Sequence, residues 1–148
     1  MSEADKYIKN YFEKYAGVAA YKEKVLEAAR KDKVVRTLFG RLRRFPDIDT
    51  TNKQMRAMWE RTAFNTVFQG TAADLIKIAM IKIQKNLEEK FPDSYMILQV
   101  HDELVFEVKK SDLETLSHMV RQEMEHAAEI GVPLKVDIGH GPSWGAAH

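Results

Sequence analysis

Leu98-Gln99-Val100-His101-Asp102-Glu103-Leu104-Val105-Phe106-Glu107-Val108 decides how the rest of the chain is read. An apolar run lies on either side of a His-Asp-Glu triplet, the pattern of a β-hairpin over residues 95–108 with the triplet at its tip. A turn residue stands clear of both strands while the pairing behind it holds its position, so carboxylates there can be aimed at a divalent metal outside the sheet. The competing reading is a polar turn that happens to contain acids. Against it stands the absence of the Gly or Asn that a tight two-residue turn favours.

Working outward, a helix is predicted from Ser111 to Glu129, with Leu113, Leu116, Met119, Val120 and Met124 inward. Gly131 and Pro133 end it, and Leu134, Val136 and Ile138 alternate with Lys135 and Asp137 as in a half-buried strand. Residues 139–148 read as loop. Upstream, Asn52 to Lys90 is helical, with Leu75, Ile76, Ala79, Met80, Ile83 and Leu87 as its apolar stripe. Gly70 followed by Thr71 predicts a break there, hence two consecutive helices. Before them, residues 34–39 and 42–45 flank Gly40-Arg41 as a short extended pair closed by Pro46. Two further helical stripes precede these. One runs from a Ser2 N-cap through Tyr7, Ile8, Tyr11, Phe12 and Tyr15 to Ala16-Gly17, and the other covers Val18, Tyr21, Val25, Leu26 and Ala29. The expected class is α+β: a small antiparallel sheet, made of the hairpin and the C-terminal strand, packed on the helix around Ala72 to Leu87.

At 148 residues, 45% hydrophobic and 30% charged, the chain is long enough for one globular domain with a sizeable core. A formal net charge of +1 excludes a generally basic nucleic-acid binder, so any electrostatic footprint must come from local clustering. The absence of cysteine excludes disulfide scaffolds and thiolate metal sites. No apolar run approaches the roughly 20 residues of a membrane span, and the N-terminus has no signal-peptide pattern, so a soluble cytoplasmic protein is expected.

Two patterns bear on ligands. Arg61, Asn65 and Gln69 recur every fourth residue and share one helix face, and each is a hydrogen-bond donor. Minor-groove acceptors occupy nearly the same places at every base pair, so such a row can grip a duplex without reading it; the alternative is an ordinary solvated face. Lys31, Lys33, Arg36, Arg41, Arg43 and Arg44 stand against one acid, Asp32, over residues 31–44. They make either a phosphate-binding edge or a charged hairpin that resists aggregation.

Several stretches resemble successive landmarks of the family A DNA polymerases, the bacterial DNA polymerase I group. They are Thr37-Leu38-Phe39-Gly40-Arg41; Glu60-Arg61-Thr62-Ala63-Phe64-Asn65 running into Gln69-Gly70-Thr71-Ala72-Ala73-Asp74-Leu75; Gln99-Val100-His101-Asp102-Glu103-Leu104-Val105; and Val132-Pro133-Leu134 with Gly141-Pro142-Ser143-Trp144-Gly145. They follow the family's order and cover nearly the whole chain. The resemblance implies the C-terminal part of a polymerase domain, with residues 1–50 ending the fingers and residues 51–148 forming the later half of the palm. One local departure is Val67-Phe68, where the family commonly has Pro before the Gln-Gly-Thr run.

By that resemblance, Asp102 is the motif C carboxylate that binds catalytic Mg²⁺, and Glu103 is a neighbouring, less critical acid. His101 lies against the primer end. Arg61, Asn65 and Gln69 contact the primer-template minor groove, and Arg41, Arg43 and Arg44 lie close to the nucleic-acid backbone. The implied chemistry is template-directed nucleotidyl transfer from deoxynucleoside triphosphates at a two-Mg²⁺ site. No segment here resembles motif A, which carries the family's other essential Asp, nor the fingers helix that holds the incoming nucleotide, nor the thumb and exonuclease domains. The expectation is therefore a chain inactive alone, whose site is completed by a second polypeptide carrying motif A or whose apolar edges are covered by self-association. The alternative is a non-catalytic palm-like module that binds primer-template DNA. Single-subunit RNA polymerases share a His-Asp motif, but the Gln-Gly-Thr-Ala-Ala-Asp run points to the DNA enzymes. A metal-dependent nuclease is disfavoured because too few carboxylates converge in sequence.

Overall fold

The computed structural model describes residues 3–147, so the Ser2 cap lies outside the described residues. The elements are α1 (Glu3–Lys14), α2 (Ala16–Asp32), β1 (Val34–Arg36), β2 (Leu42–Arg44), α3 (Lys53–Lys90), β3 (Tyr95–Val100), β4 (Glu103–Glu107) and α4 (Leu113–Glu125), with short 3₁₀ turns at Lys110–Asp112 and Trp144–Ala146. The class is α+β. Two compact units divide at Thr71/Ala72. Among the described residues no helix is long and apolar enough to cross a membrane.

In the first unit, α2 stops where Lys33 takes a left-handed φ of 57° and donates its N–H to the Ala29 carbonyl. The chain then reverses through the β1–β2 hairpin, in which Val34 pairs with Arg44 and Arg36 with Leu42. Leu26, Ala29, Val35, Phe45, Ile48 and Ala63 form the core, with Val25, Trp59 and Val67 packed on it. Phe45 and Ile48 are fully enclosed, and burial of each side chain stabilises by about 1.5–3 kcal/mol. The start of α3 is capped by Asn52, whose Oδ1 accepts from the Gln54 and Met55 N–H groups at 3.0 and 3.2 Å.

In the second unit, Ala79, Ile83, Leu87, Phe91, Leu116, Val120 and Ala127 make the core, and Met96, Leu104, Phe106 and Val108 pack against it. That contact holds the β3–β4 hairpin by its inner face. Its base is closed by buried Ser94, whose Oγ accepts from the Lys109 N–H at 3.2 Å. Lys109 also pairs with Asp93 at 2.9 Å. The hydrogen bond that its ammonium donates to the Asp93 carboxylate, then the charge of that carboxylate, raises Lys109 above its ordinary pKa.

Four local expectations are corrected. α3 runs through Gly70 as a single helix of 38 residues. Gly70 serves packing there, because a Cβ on it would stand 2.6 Å from the Thr37 Cγ2. α4 ends at Glu125, four residues early, where Lys82 Nζ donates to the His126 and Ala127 carbonyls at 3.2 Å and takes up their orphan acceptors. Residues 134–138 form no strand. Leu134, Val136 and Ile138 are half-buried between exposed Lys135 and Asp137, as the alternation predicts, yet the Val136 N–H goes to the Glu125 carboxylate at 3.2 Å rather than to a neighbouring strand. In place of one sheet there are accordingly two separate two-stranded ones.

Candidate metal-binding hairpin and nucleic-acid interface

The tip of the second-unit hairpin follows from its register. β3 and β4 pair from Tyr95↔Glu107 to Val100↔Glu103, with a bulge between Met96 and Leu98, and leave His101 and Asp102 as a two-residue loop. His101 has a φ of 52°, and Asp102 is not among the positive-φ residues. Positive φ at the first loop position alone is the II′ pattern, in which glycine is usual and an L-residue is strained. Gln99 braces this backbone by donating from Nε2 to the His101 carbonyl at 2.7 Å. The ladder and the brace hold Asp102 and Glu103 at the end of the sheet, both exposed. Among the described residues no cluster of three potential metal ligands forms. Two adjacent exposed carboxylates supply hard oxygen donors of the type Mg²⁺ prefers, but fill only part of an octahedral shell.

The strain at residue 101 is measurable. His101→Gly is expected to raise the stability of the chain by about 1 kcal/mol, the steric cost of a left-handed L-residue. Equilibrium urea unfolding would read this, and a destabilised variant would contradict the strained-turn account.

In the first unit, Arg61, Asn65 and Gln69 are all exposed on α3, and among the described residues none of their side chains makes a hydrogen bond or ion pair. Buried Ala63 and Thr66 turn inward from the same stretch, so the predicted row is present as a free donor face. The hairpin arginines are differently placed. Arg41 Nη2 donates to the Gly70 carbonyl at 2.9 Å, and Arg43 Nη1 donates to Thr66 Oγ1 at 3.3 Å with its guanidinium over the Phe45 ring. Arg44 is exposed and makes no such contact among the described residues. Lys33 is paired with Asp49.

Sequence reasoning gave no role to Gln99, Thr37, Thr66 or Thr71. The spacing of Gln99 two residues before a turn without Gly is the one local signal that a side chain substitutes for turn propensity. The threonines could not be found that way, because their partners lie up to 33 residues distant.

Comparison with known proteins agrees with these landmarks. The family model for DNA polymerase family A matches residues 1–146. The chain is 46% identical over 145 residues to the DNA polymerase I of Mycobacterium leprae (strain TN), covering 98% of this chain and 16% of that protein. It is 46% identical over 142 residues to the DNA polymerase I of Bacillus subtilis (strain 168), again covering 16% of the relative. The chain thus spans about one-sixth of the length of these relatives. A solved structure, the POL domain of Pol1 from M. smegmatis in complex with DNA primer-template and dNTP, superposes with a TM-score of 0.92 at 42% identity, over 98% of this chain and 26% of that one. With hairpin, donor row and basic turn standing in one sequence that these comparisons cover almost end to end, the chain belongs to DNA polymerase family A.

Proposed function

We propose that the chain supplies the later palm and the end of the fingers to a family A DNA polymerase, contributing to template-directed nucleotidyl transfer. The observation that carries this reading is the braced tip, which holds Asp102 in a two-residue turn and Glu103 at the start of β4, both exposed. Asp102 holds Mg²⁺ with Glu103 beside it, and His101 lies against the primer end. Mg²⁺, when bound, activates the primer 3′-hydroxyl and neutralises charge on the triphosphate. Arg61, Asn65 and Gln69 donate to minor-groove acceptors of the primer-template. Arg44 faces the phosphate backbone, while Arg41 and Arg43 are bonded to α3 at Gly70 and Thr66. The M. smegmatis neighbour, solved with primer-template and dNTP, supports DNA and deoxynucleoside triphosphates as partners.

Two carboxylates in one segment do not complete a two-metal site. A polypeptide of these 148 residues is therefore inactive alone, and its site is completed by a segment carrying motif A, present in a second polypeptide or elsewhere in a longer chain. Mg²⁺-dependent extension of a DNA primer-template tests this, with the chain alone and mixed with an upstream polymerase fragment. Extension only in the mixture is the expected result. Extension by the chain alone would refute dependence on a second carboxylate segment, and duplex binding with no activity in either setting would instead support a non-catalytic DNA-binding module.

A further inference from the structure

The β1–β2 turn is keyed into α3 at one residue pair. Arg41 Nη2 donates to the Gly70 carbonyl at 2.9 Å, the Leu38 N–H donates to Thr71 Oγ1 at 3.0 Å, and Thr37 Oγ1 accepts from the Arg41 N–H at 3.1 Å. Thr37 is buried, and its Cγ2 would lie 2.6 Å from a Cβ at residue 70, so the turn comes this close only because that residue is glycine. One helical turn earlier, Arg43 Nη1 donates to Thr66 Oγ1, and that hydroxyl donates onward to the Thr62 carbonyl at 2.7 Å. Thr66 and Gly70 directly follow Asn65 and Gln69. The hairpin therefore grips α3 at the two positions beside which these exposed donors project.

We propose that the Thr37–Arg41 turn is a clamp that fixes Gln69 for duplex binding, and that Arg41 is a positioning residue acting through Gly70 rather than a phosphate contact. This rests on the minor-groove reading of Arg61, Asn65 and Gln69. Glycine gives a helix interior its least constrained backbone, and here that backbone adjoins the last donor of the row. Holding the Gly70 carbonyl from outside, and filling the space above its Cα with the Thr37 methyl, removes that freedom. The two contacts act on the same residue from independent directions: one is a charged hydrogen bond and the other is steric.

The test is binding of a primer-template duplex to the 148-residue chain across a series of salt concentrations. A residue acting through Gln69 and one that contacts phosphate predict different salt slopes. Arg41→Gln is expected to weaken binding about 2- to 10-fold, the equivalent of one hydrogen bond, with the slope of log K against log salt unchanged and no further loss in a Gln69→Ala background. Gly70→Ala is expected to weaken binding similarly while leaving the helix content intact, and Thr37→Ser, which deletes the clashing methyl but keeps the hydroxyl, is expected to restore it. A slope reduced by about 0.9 in Arg41→Gln, as for one lost phosphate contact, with losses that add to those of Gln69→Ala, would overturn the clamp while leaving the minor-groove row in place. Indifference to Thr37→Ser would also overturn it. Unchanged affinity in Gln69→Ala, or no duplex binding by the unmodified chain, would remove the underlying reading and the clamp together.

Discussion

Asp102→Ala is expected to reduce primer extension, measured in a mixture with an upstream fragment bearing motif A, by about a thousandfold or more. Lewis-acid stabilisation by a bound divalent ion is worth several kcal/mol, and about 4 kcal/mol is a factor of 10³ in rate. The carboxylate sits in an exposed two-residue loop whose geometry is set by the ladder and by Gln99 rather than by Asp102 itself. Its removal should therefore leave the hairpin folded, which far-ultraviolet circular dichroism would verify. Glu103 occupies the first ladder pair, opposite Val100, and Glu103→Ala is expected to cost much less. An Asp102→Ala mixture that extends primers within about tenfold of the unmodified one would rule out this carboxylate as the metal ligand.

The largest effect on stability is expected from Phe45→Ala. The ring is fully buried at the centre of the first core and meets Trp59 edge-on, with centroids 6.0 Å apart. Truncation of such a ring costs about 3–5 kcal/mol from lost transfer energy and the cavity left behind. Against the 5–15 kcal/mol that usually holds a domain together, that is a large share. Trp59 makes the loss observable, since the sequence has two tryptophans and the other is Trp144. In a Trp144→Phe background, the urea midpoint followed by Trp59 fluorescence should fall sharply. A shift worth less than about 1 kcal/mol would mean that the site closes over the missing ring.

The elements most legible in the sequence are those whose pattern and partner are both local. The β3–β4 hairpin is one, because its strands pair across two residues. The outward row of Arg61, Asn65 and Gln69 is another, because helical spacing alone sets it. The misjudged elements each depend on a distant partner. Gly70 carries a genuine helix penalty, of about 1 kcal/mol, but a packing need at Thr37 outweighed it. Leu134, Val136 and Ile138 do alternate, yet alternation tells which side chains turn inward and not whether a strand lies alongside. The early end of α4 is written in Lys82, more than 40 residues upstream. At the candidate site the residue types were legible. The second engagements of Arg41 and Arg43 were not, since nothing in a run of basic residues distinguishes a cation facing solvent from one bonded to a helix.

The bulge between Met96 and Leu98 acts as a counting device for the tip. Beyond it Leu98 pairs with Val105 rather than Leu104, and Ile97 and Leu98 both face outward, at 57% and 44% exposure. With the same residues but no bulge, the Met96↔Phe106 pairing continued in step would bring Gln99 opposite Glu103 and leave a three-residue loop of Val100, His101 and Asp102. Loss of Ile97 alone would instead restore a regular ladder with Val100 still opposite Glu103 and every inward side chain in phase. The hairpin thus has a spare residue, at Ile97 or Leu98 opposite Val105, by which its length can change while its carboxylates stay where they are.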